Sequence, residues 1–382
     1  MKNFFAAFWA CLSLGVVAQP FEVVPGLFDS SRPETLGLAV PVGIENTIVY
    51  RAKSGESQYN HGAVPFAHNG ILYVQWQSSA RDEDAADTRV LYASSRDGLL
   101  WSEPEVLAPA RGDAVVTSGG WWAEGEELYA FINVWPHTLK PRGGYTEVFT
   151  RQMDGRWSGP VRPLYASGKP LDGIIEQDFH SYCGRLITAL HRQPGLLVTP
   201  IFTEDPAGLR GWTLGKFENL SVKNHVSREL EPSNFRRKDG SLVMVFRDQQ
   251  SSFHVLAAES KDCGKTWSRA QKTNMPDSRA KQSAGNLPDG TAYIVNNPSG
   301  SKSREPLTIT LSEDGVTFDR AYLLRAGGAQ QSGPVYEGLY KRKGFSYPKS
   351  FVWKEHLYVA YGENKEDIVV TRIPLASLGR EW

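Results

Sequence analysis

The stretch SKDCGKTW, Ser260 to Trp267, sets a serine, an aspartate, a glycine and a tryptophan within one tight turn that follows an apolar run. Serine and aspartate side chains can bond the turn's own backbone, glycine relieves the bend, and the aromatic ring packs beneath it. The spacing Ser-x-Asp-x-Gly-x-Thr-Trp is complete here. It recurs shortened in SSRDGLLW, Ser94 to Trp101, and with a terminal phenylalanine in SEDGVTF, Ser312 to Phe318. One acidic turn arises easily by chance; three copies, each after a strand candidate, mark a repeat.

A second element recurs in step with the turn. It is a strand, a polar turn and an alternating apolar strand, read in NHGAVPFAHNGILYVQWQ (Asn60–Gln77), TSGGWWAEGEELYAFINVW (Thr117–Trp135) and DGIIEQDFHSYCGRLITALHR (Asp172–Arg192). It returns in EPSNFRRKDGSLVMVFRD (Glu231–Asp248), SAGNLPDGTAYIVNNPSG (Ser283–Gly300) and YPKSFVWKEHLYVAYGEN (Tyr347–Asn364). These turns suit hairpins. Further strand candidates such as TRVLYAS and FHVLAAE lie between them, giving four antiparallel strands per unit. That spacing predicts an all-β chain folded as a single β-propeller rather than a sandwich. Six units are clear. The last has DIVVTRIPL but little chain after it, so an N-terminal strand such as NTIVYRA (Asn46–Ala52) is needed to close the ring. A further blade from residues 20–53 would make seven, and the repeats alone leave six and seven open.

The 382 residues carry 42 basic and 42 acidic side chains, a formal net charge of zero that gives no reason to expect nucleic acid as a partner. Lys2 followed by an apolar stretch from Phe4 to Ala18 reads as a signal peptide over residues 1–18, leaving a propeller domain over 19–382. The stretch is too short for a membrane span, so the expected location is secreted or periplasmic. Cleavage there leaves Cys183 and Cys263, which are no disulfide framework in so long a chain.

In a propeller the first strand of each blade lines the channel and the second returns beside it. The start of one and the end of the other therefore open on the same face. Those positions hold Asn60, His61 and Trp76, then His191 and Arg192, Arg247, and Tyr347 and Lys349. Aromatic faces take sugar rings and guanidinium takes carboxylate in a bidentate grip, so the rim suits an acidic sugar. His180, Cys183 and Cys263 fall on the opposite face, where they could converge on a structural zinc; the alternative is unpaired thiols. No cofactor is otherwise required, and a monomer is expected.

The turns resemble the Asp box of sialidase-like propellers. YNHGAVPFAHNGILYVQW, followed by DED and TRVLYASSRDGLLWSEP, resembles the opening blade of enzymes that cleave rhamnose–glucuronate linkages: ulvan lyases, rhamnose–glucuronate lyases and related exo-α-L-rhamnosidases. The likeness extends to the terminal NKEDI and covers about residues 55–375. It implies seven blades and a polysaccharide lyase acting by β-elimination on an anionic polysaccharide, with exo-rhamnosidase and non-catalytic glycan-binding propeller as alternatives. The family's histidine falls on His61, but its frequent second histidine is replaced by Gly62, and WQSSARDED has none. A lyase needs a base at the uronate C5 proton, an acid for the leaving oxygen and a cation on the carboxylate. His61 is assigned to the first role, Tyr129 (with Tyr145 as second choice) to the proton relay, and Arg142 to the cation. A hydrolase would want paired carboxylates; Asp82, Glu83, Asp84, Asp172, Glu231 and Asp248 are available, and nothing in the sequence pairs them. The arginine motif expected near the start of a sialidase is absent, and TRIPL lies at the wrong end.

Overall fold

A computed structural model describes residues 19–152 and 154–379; the expected signal peptide lies outside them. Six four-stranded antiparallel blades are strung along the chain. Their innermost strands are Tyr59–His68, Ala114–Glu124, Gly173–Ile175 (with His180–Tyr182), Glu229–Arg236, Ser283–Asn286 and Phe345–Trp353. The ring closes as the sequence required: Glu45–Tyr50 pairs antiparallel with Asp367–Pro374 and becomes the outer strand of the last blade. Six blades among the described residues is one of the two counts the repeats left open, one fewer than the resemblance implies. Ahead of that closing strand, the chain forms turns and one short strand, Glu22–Val23, pairing in parallel with Thr317–Phe318. With Glu45–Tyr50 used for closure, the described residues ahead of it add no seventh sheet.

Six apolar clusters hold the ring, one between each pair of neighbouring blades. Each sheet is therefore buried on both faces, which explains the near-continuous apolar second strands such as Leu242–Asp248. Among the described residues there is no α-helix, and none long and apolar enough to cross a membrane.

The turns behave as their chemistry requires. In the complete copy Asp262 accepts from the Thr266 amide (2.8 Å) and receives Ser260 Oγ (3.0 Å), while Trp267 Nε1 donates to Gly264 O (3.0 Å). Asp97 and Asp314 cap their turns in the same way. The third blade holds a copy the sequence reading passed over. There Thr203 stands for serine, Asp205 accepts from the Leu209 amide (2.9 Å), and Trp212 Nε1 donates to Gly208 O (2.8 Å).

Cys183 and Cys263 meet on the hairpin face as a disulfide between the third and fourth blades, with Cα atoms 6.2 Å apart. This corrects both expectations for them, zinc ligands and unpaired thiols, because a bonded sulfur pair offers no thiolate to a metal. Among the described residues no group of three or more His, Cys, Asp and Glu could hold an ion. The bond spans 80 residues. Replacing both cysteines by serine is expected to cost about 2–4 kcal/mol of stability. Denaturant midpoints of the two proteins, with and without reductant, check it; reductant should lower only the midpoint of the unaltered chain.

Candidate active site

Four of the innermost strands carry a β-bulge near their channel-mouth ends, between His61 and Val64, Ser118 and Gly120, Leu230 and Ser233, and Ser346 and Lys349. A bulge breaks the alternation of a strand and re-aims one side chain. Here Gly62, Gly120, Glu231 and Tyr347 stand at positive φ, and the side chains brought to the cavity are those of Glu231 and Tyr347. Positive φ is costly for glutamate and tyrosine, and such strain gathers at functional sites. Proline follows both residues, and its missing N–H suits a position where the ladder is already interrupted.

Glycine at the first two bulges makes room for a strap from the third blade. Between Ile175 and His180 the chain leaves its sheet and crosses the channel. A Cβ on Gly120 would lie 2.6 Å from Gln177 O. The Gln177 amide donates to Gly62 O (3.1 Å) and Ser118 Oγ (2.8 Å). Lys281 Nζ joins Glu176 (2.7 Å) to Gln177 Oε1 (2.8 Å), and Lys349 Nζ reaches Asp178 at 2.6 Å. Blades one, two, five and six thus all grip the strap, which forms the floor of a 220 Å³ cavity at the mouth.

Tyr347 stands on one wall of this cavity. Arg247 Nη1 donates to its hydroxyl at 2.8 Å and lies 2.7 Å from Glu231 Oε2, to which it is ion-paired without an aligned hydrogen bond. A phenol oxygen that accepts from arginine keeps its own proton for a neighbour. Burial raises the Tyr347 pKa, with Glu231 adding to this and Arg247 opposing it. Burial also pushes Glu231 up, but Arg247 and Lys281 outweigh it and hold the carboxylate below its ordinary value. Arg304 and Lys281 stand 5.0 and 5.4 Å from the tyrosine ring centroid.

His61 packs against Tyr347 with ring centroids 4.3 Å apart, and both its nitrogens are buried without a hydrogen-bond partner. Burial, helped by Lys365, Arg304 and Lys281, holds its pKa well below 6.5 and keeps it neutral. His191 Nε2 accepts from the Glu231 amide at 3.2 Å, which puts its ring proton on an unpartnered Nδ1. At the rim Arg142 grips Asp84 through both Nη atoms (2.7 and 2.6 Å) and lies over the Trp135 ring. The cavity therefore sets three cations, Arg142, Arg247 and Lys281, each paired with a carboxylate, around Tyr347. This arrangement is suited to proton transfer and to a substrate carboxylate that exchanges with one of the paired ones.

The protein-family model described as BNR repeat-like domain matches residues 70–359. The chain belongs to the BNR repeat-like domain family. A search of the curated proteins found no match. Among solved structures, this BNR repeat-like chain is similar to a sialidase at 19% identity and TM-score 0.67, the match covering 93% of this chain and 35% of that one, so the chain spans about a third of that sialidase. A protein of unknown function from Dyadobacter fermentans aligns at 16% identity and TM-score 0.64, over 87% of this chain and all of the other. A leech intramolecular trans-sialidase solved with 2,7-anhydro-Neu5Ac aligns at 13% identity and TM-score 0.64, over 88% of this chain and 71% of that one. At such identities the likeness is one of fold, that of the sialidase-like propellers.

Of the residues singled out from the sequence, His61, Arg142, His191, Arg247 and Tyr347 of this BNR repeat-like chain line the cavity. Tyr129 does not. It packs in the core between the second and third blades, and its hydroxyl bonds Glu127 at the hairpin end. Tyr145 lies under the Arg162 guanidinium, 4.1 Å from its ring centroid. Trp76 is fully buried and donates to Asn60 Oδ1 at 3.0 Å, while Asn60 Nδ2 donates to Glu366 O at 2.7 Å; the pair fastens the first blade to the last. Arg192 pairs with Asp172 outside the cavity lining (3.2 Å), and Lys349 is buried at the strap. Glu231, weighed as one carboxylate among six, becomes central. Glu176, Gln177, Lys281 and Arg304 were not foreseen. A usable signal lay in EP and YP at the starts of two inner strands.

Burial lowers the pKa of His61, His180 and His191, that of His180 from 6.5 to about 4. The unfolded chain takes up protons that the fold refuses. Their contribution is whole above pH 6.5 and is lost as pH falls toward the folded values. Asp277, raised by burial from 3.8 to about 6, acts in the opposite sense over that interval. The melting temperature is expected to fall from about pH 7 to about pH 5, and less steeply in His180→Asn. Parallel slopes for the two proteins would remove His180 from this account.

Proposed function

We propose that this protein is an exported glycan-cleaving enzyme acting on a carboxylate-bearing sugar, as a retaining glycosidase with Tyr347 as nucleophile. The observation that carries it is the triad of Tyr347, Glu231 and Arg247 within the mouth cavity. Glu231 takes the phenolic proton as the oxygen attacks the anomeric carbon, and Arg247 steadies the charge left on that oxygen. A neutral nucleophile suits an anionic sugar, which a carboxylate nucleophile would repel; sialidases are the known exception that uses tyrosine. Asp84, outside this relay, is assigned as acid and then base. Parted from Arg142 and protonated from solvent, it gives that proton to the leaving oxygen. As carboxylate it then takes a proton from the water that cleaves the Tyr347–sugar bond, Glu231 returning the phenolic proton. The disulfide supports export, since such bonds persist in oxidising compartments. The sialidase names among the structural neighbours agree with an acidic sugar.

One observation favours a second reading. His61 is neutral, unpartnered and in contact with Tyr347, as the base of an eliminating lyase on rhamnose–glucuronate glycans should be. Purified protein incubated with aryl sialosides, aryl glucuronides and ulvan separates the two. Free acidic sugar with retained anomeric configuration supports the glycosidase; an unsaturated uronate chromophore replaces it with the lyase. Binding of these glycans without either product would reject both and leave a glycan-binding propeller.

A further inference from the structure

We propose that the opposite end of the central channel is a second binding site, for an uncharged sugar ring. The strap at residues 176–178 divides the channel, and Gln177 lines both the mouth cavity and a separate 280 Å³ cavity that opens toward the hairpin face. The two differ in chemistry. The mouth is lined by Arg142, Arg247 and Lys281 with several carboxylates, whereas the far cavity has neither lysine nor arginine among its lining residues. Its one carboxylate, Asp178, is neutralised from within by Lys349 at 2.6 Å. An anionic or cationic ligand would find no counter-charge there.

The far cavity offers instead aromatic faces beside neutral hydrogen-bonding groups. Phe66 and Phe351, partly exposed, sit with ring centroids 4.7 Å apart, and Phe179 stands partly exposed nearby. His180 stacks on Tyr182 at 5.7 Å with an interplanar angle of 8°. Its Nδ1 faces the Tyr182 hydroxyl at 3.3 Å, while Nε2 is buried in the wall without a partner. Tyr293 and Ser350 share a hydroxyl–hydroxyl hydrogen bond of 2.9 Å that can be redirected to a ligand. Apolar walls with a few convergent polar groups are the usual make-up of a small-molecule site. Aromatic faces together with neutral donors and acceptors match a pyranose, whose C–H faces stack and whose hydroxyls both donate and accept. The site does not depend on the activity assigned to the mouth, so a glycan chain held here would tether substrate without being cut.

Calorimetric titration with maltotriose, cellotriose and methyl α-D-galactopyranoside tests the assignment on the full chain. At least one probe should bind saturably. Phe351→Ala should weaken it about tenfold or more, Phe351→Trp should restore it, and Tyr347→Phe at the mouth should leave it unchanged. If Phe351→Ala does not fold, His180→Leu, which keeps the volume and removes Nε2, should give the same loss. Absence of saturable binding for all three probes overturns the site. So does binding that survives Phe351→Ala or His180→Leu but disappears in Arg247→Ala, which would place the probe in the mouth.

Discussion

Tyr347→Phe is expected to lower turnover by at least about a thousandfold while changing the affinity for the acidic glycan only a few-fold. The phenylalanine keeps the ring against His61 and beneath Arg304 and Lys281, so the shape of the cavity survives. What disappears is the hydroxyl that accepts from Arg247 and stands beside Glu231. Under the glycosidase reading this removes the nucleophile; under elimination, with Tyr129 in the core, it removes the tyrosine of the cavity lining that would protonate the leaving oxygen, so both chemistries should fail together. Single-turnover rates measured beside equilibrium binding decide the matter. Activity within tenfold of the unaltered protein would remove Tyr347 from the chemistry, and an equal loss of affinity and turnover would make it a binding residue instead.

Lys349→Met should cost about 3–5 kcal/mol of stability, the largest effect expected of a change outside the cavity lining. The ammonium is 1% exposed, 2.6 Å from Asp178 and 3.8 Å from Glu176, and also donates to Gln282 O at 3.1 Å. Methionine fills the space but leaves Asp178 buried without a cation, and an uncompensated buried charge is far more costly than a removed pair. Denaturant unfolding measures the loss. The double variant Lys349→Met, Asp178→Leu should regain much of it, because both charges are then gone. A single variant as stable as the unaltered chain would show that water reaches the strap and that the pair is not its anchor.

Lys349 also shows where a sequence reading ends. Its place at the start of an inner strand predicts the mouth, yet the bulge after Ser346 turns Tyr347 to the cavity and sets Lys349 beneath the floor. Trp76 departs from the rim for a related reason: strand alternation points it into the core shared with the last blade, where Asn60 of its own blade accepts from its indole. Arg247 and His191 keep their rim positions because they end second strands that pair with the third strands of their blades without a bulge, so counting from the hairpin turn holds along their length.

By itself the sequence determined the propeller, its four-stranded units, three of its Asp-box turns and the face on which the rim gathers. Those features rest on local physics: side chains bonding their own turn, hairpins closed over a few residues, and a side-chain period of two. Tertiary structure alone decided the number of blades, the disulfide and the composition of the cavity. Blade number depends on which strand Asp367–Pro374 captures, and the partner it takes, Glu45–Tyr50, lies at the other end of the chain. The cavity depends on bulges that each displace a strand by a fraction of its pleat, and on a strap gripped by Lys281 and Lys349 from more than 100 residues away. Contacts of that reach carry no periodic signal, because their energy is gained only once the ring has closed.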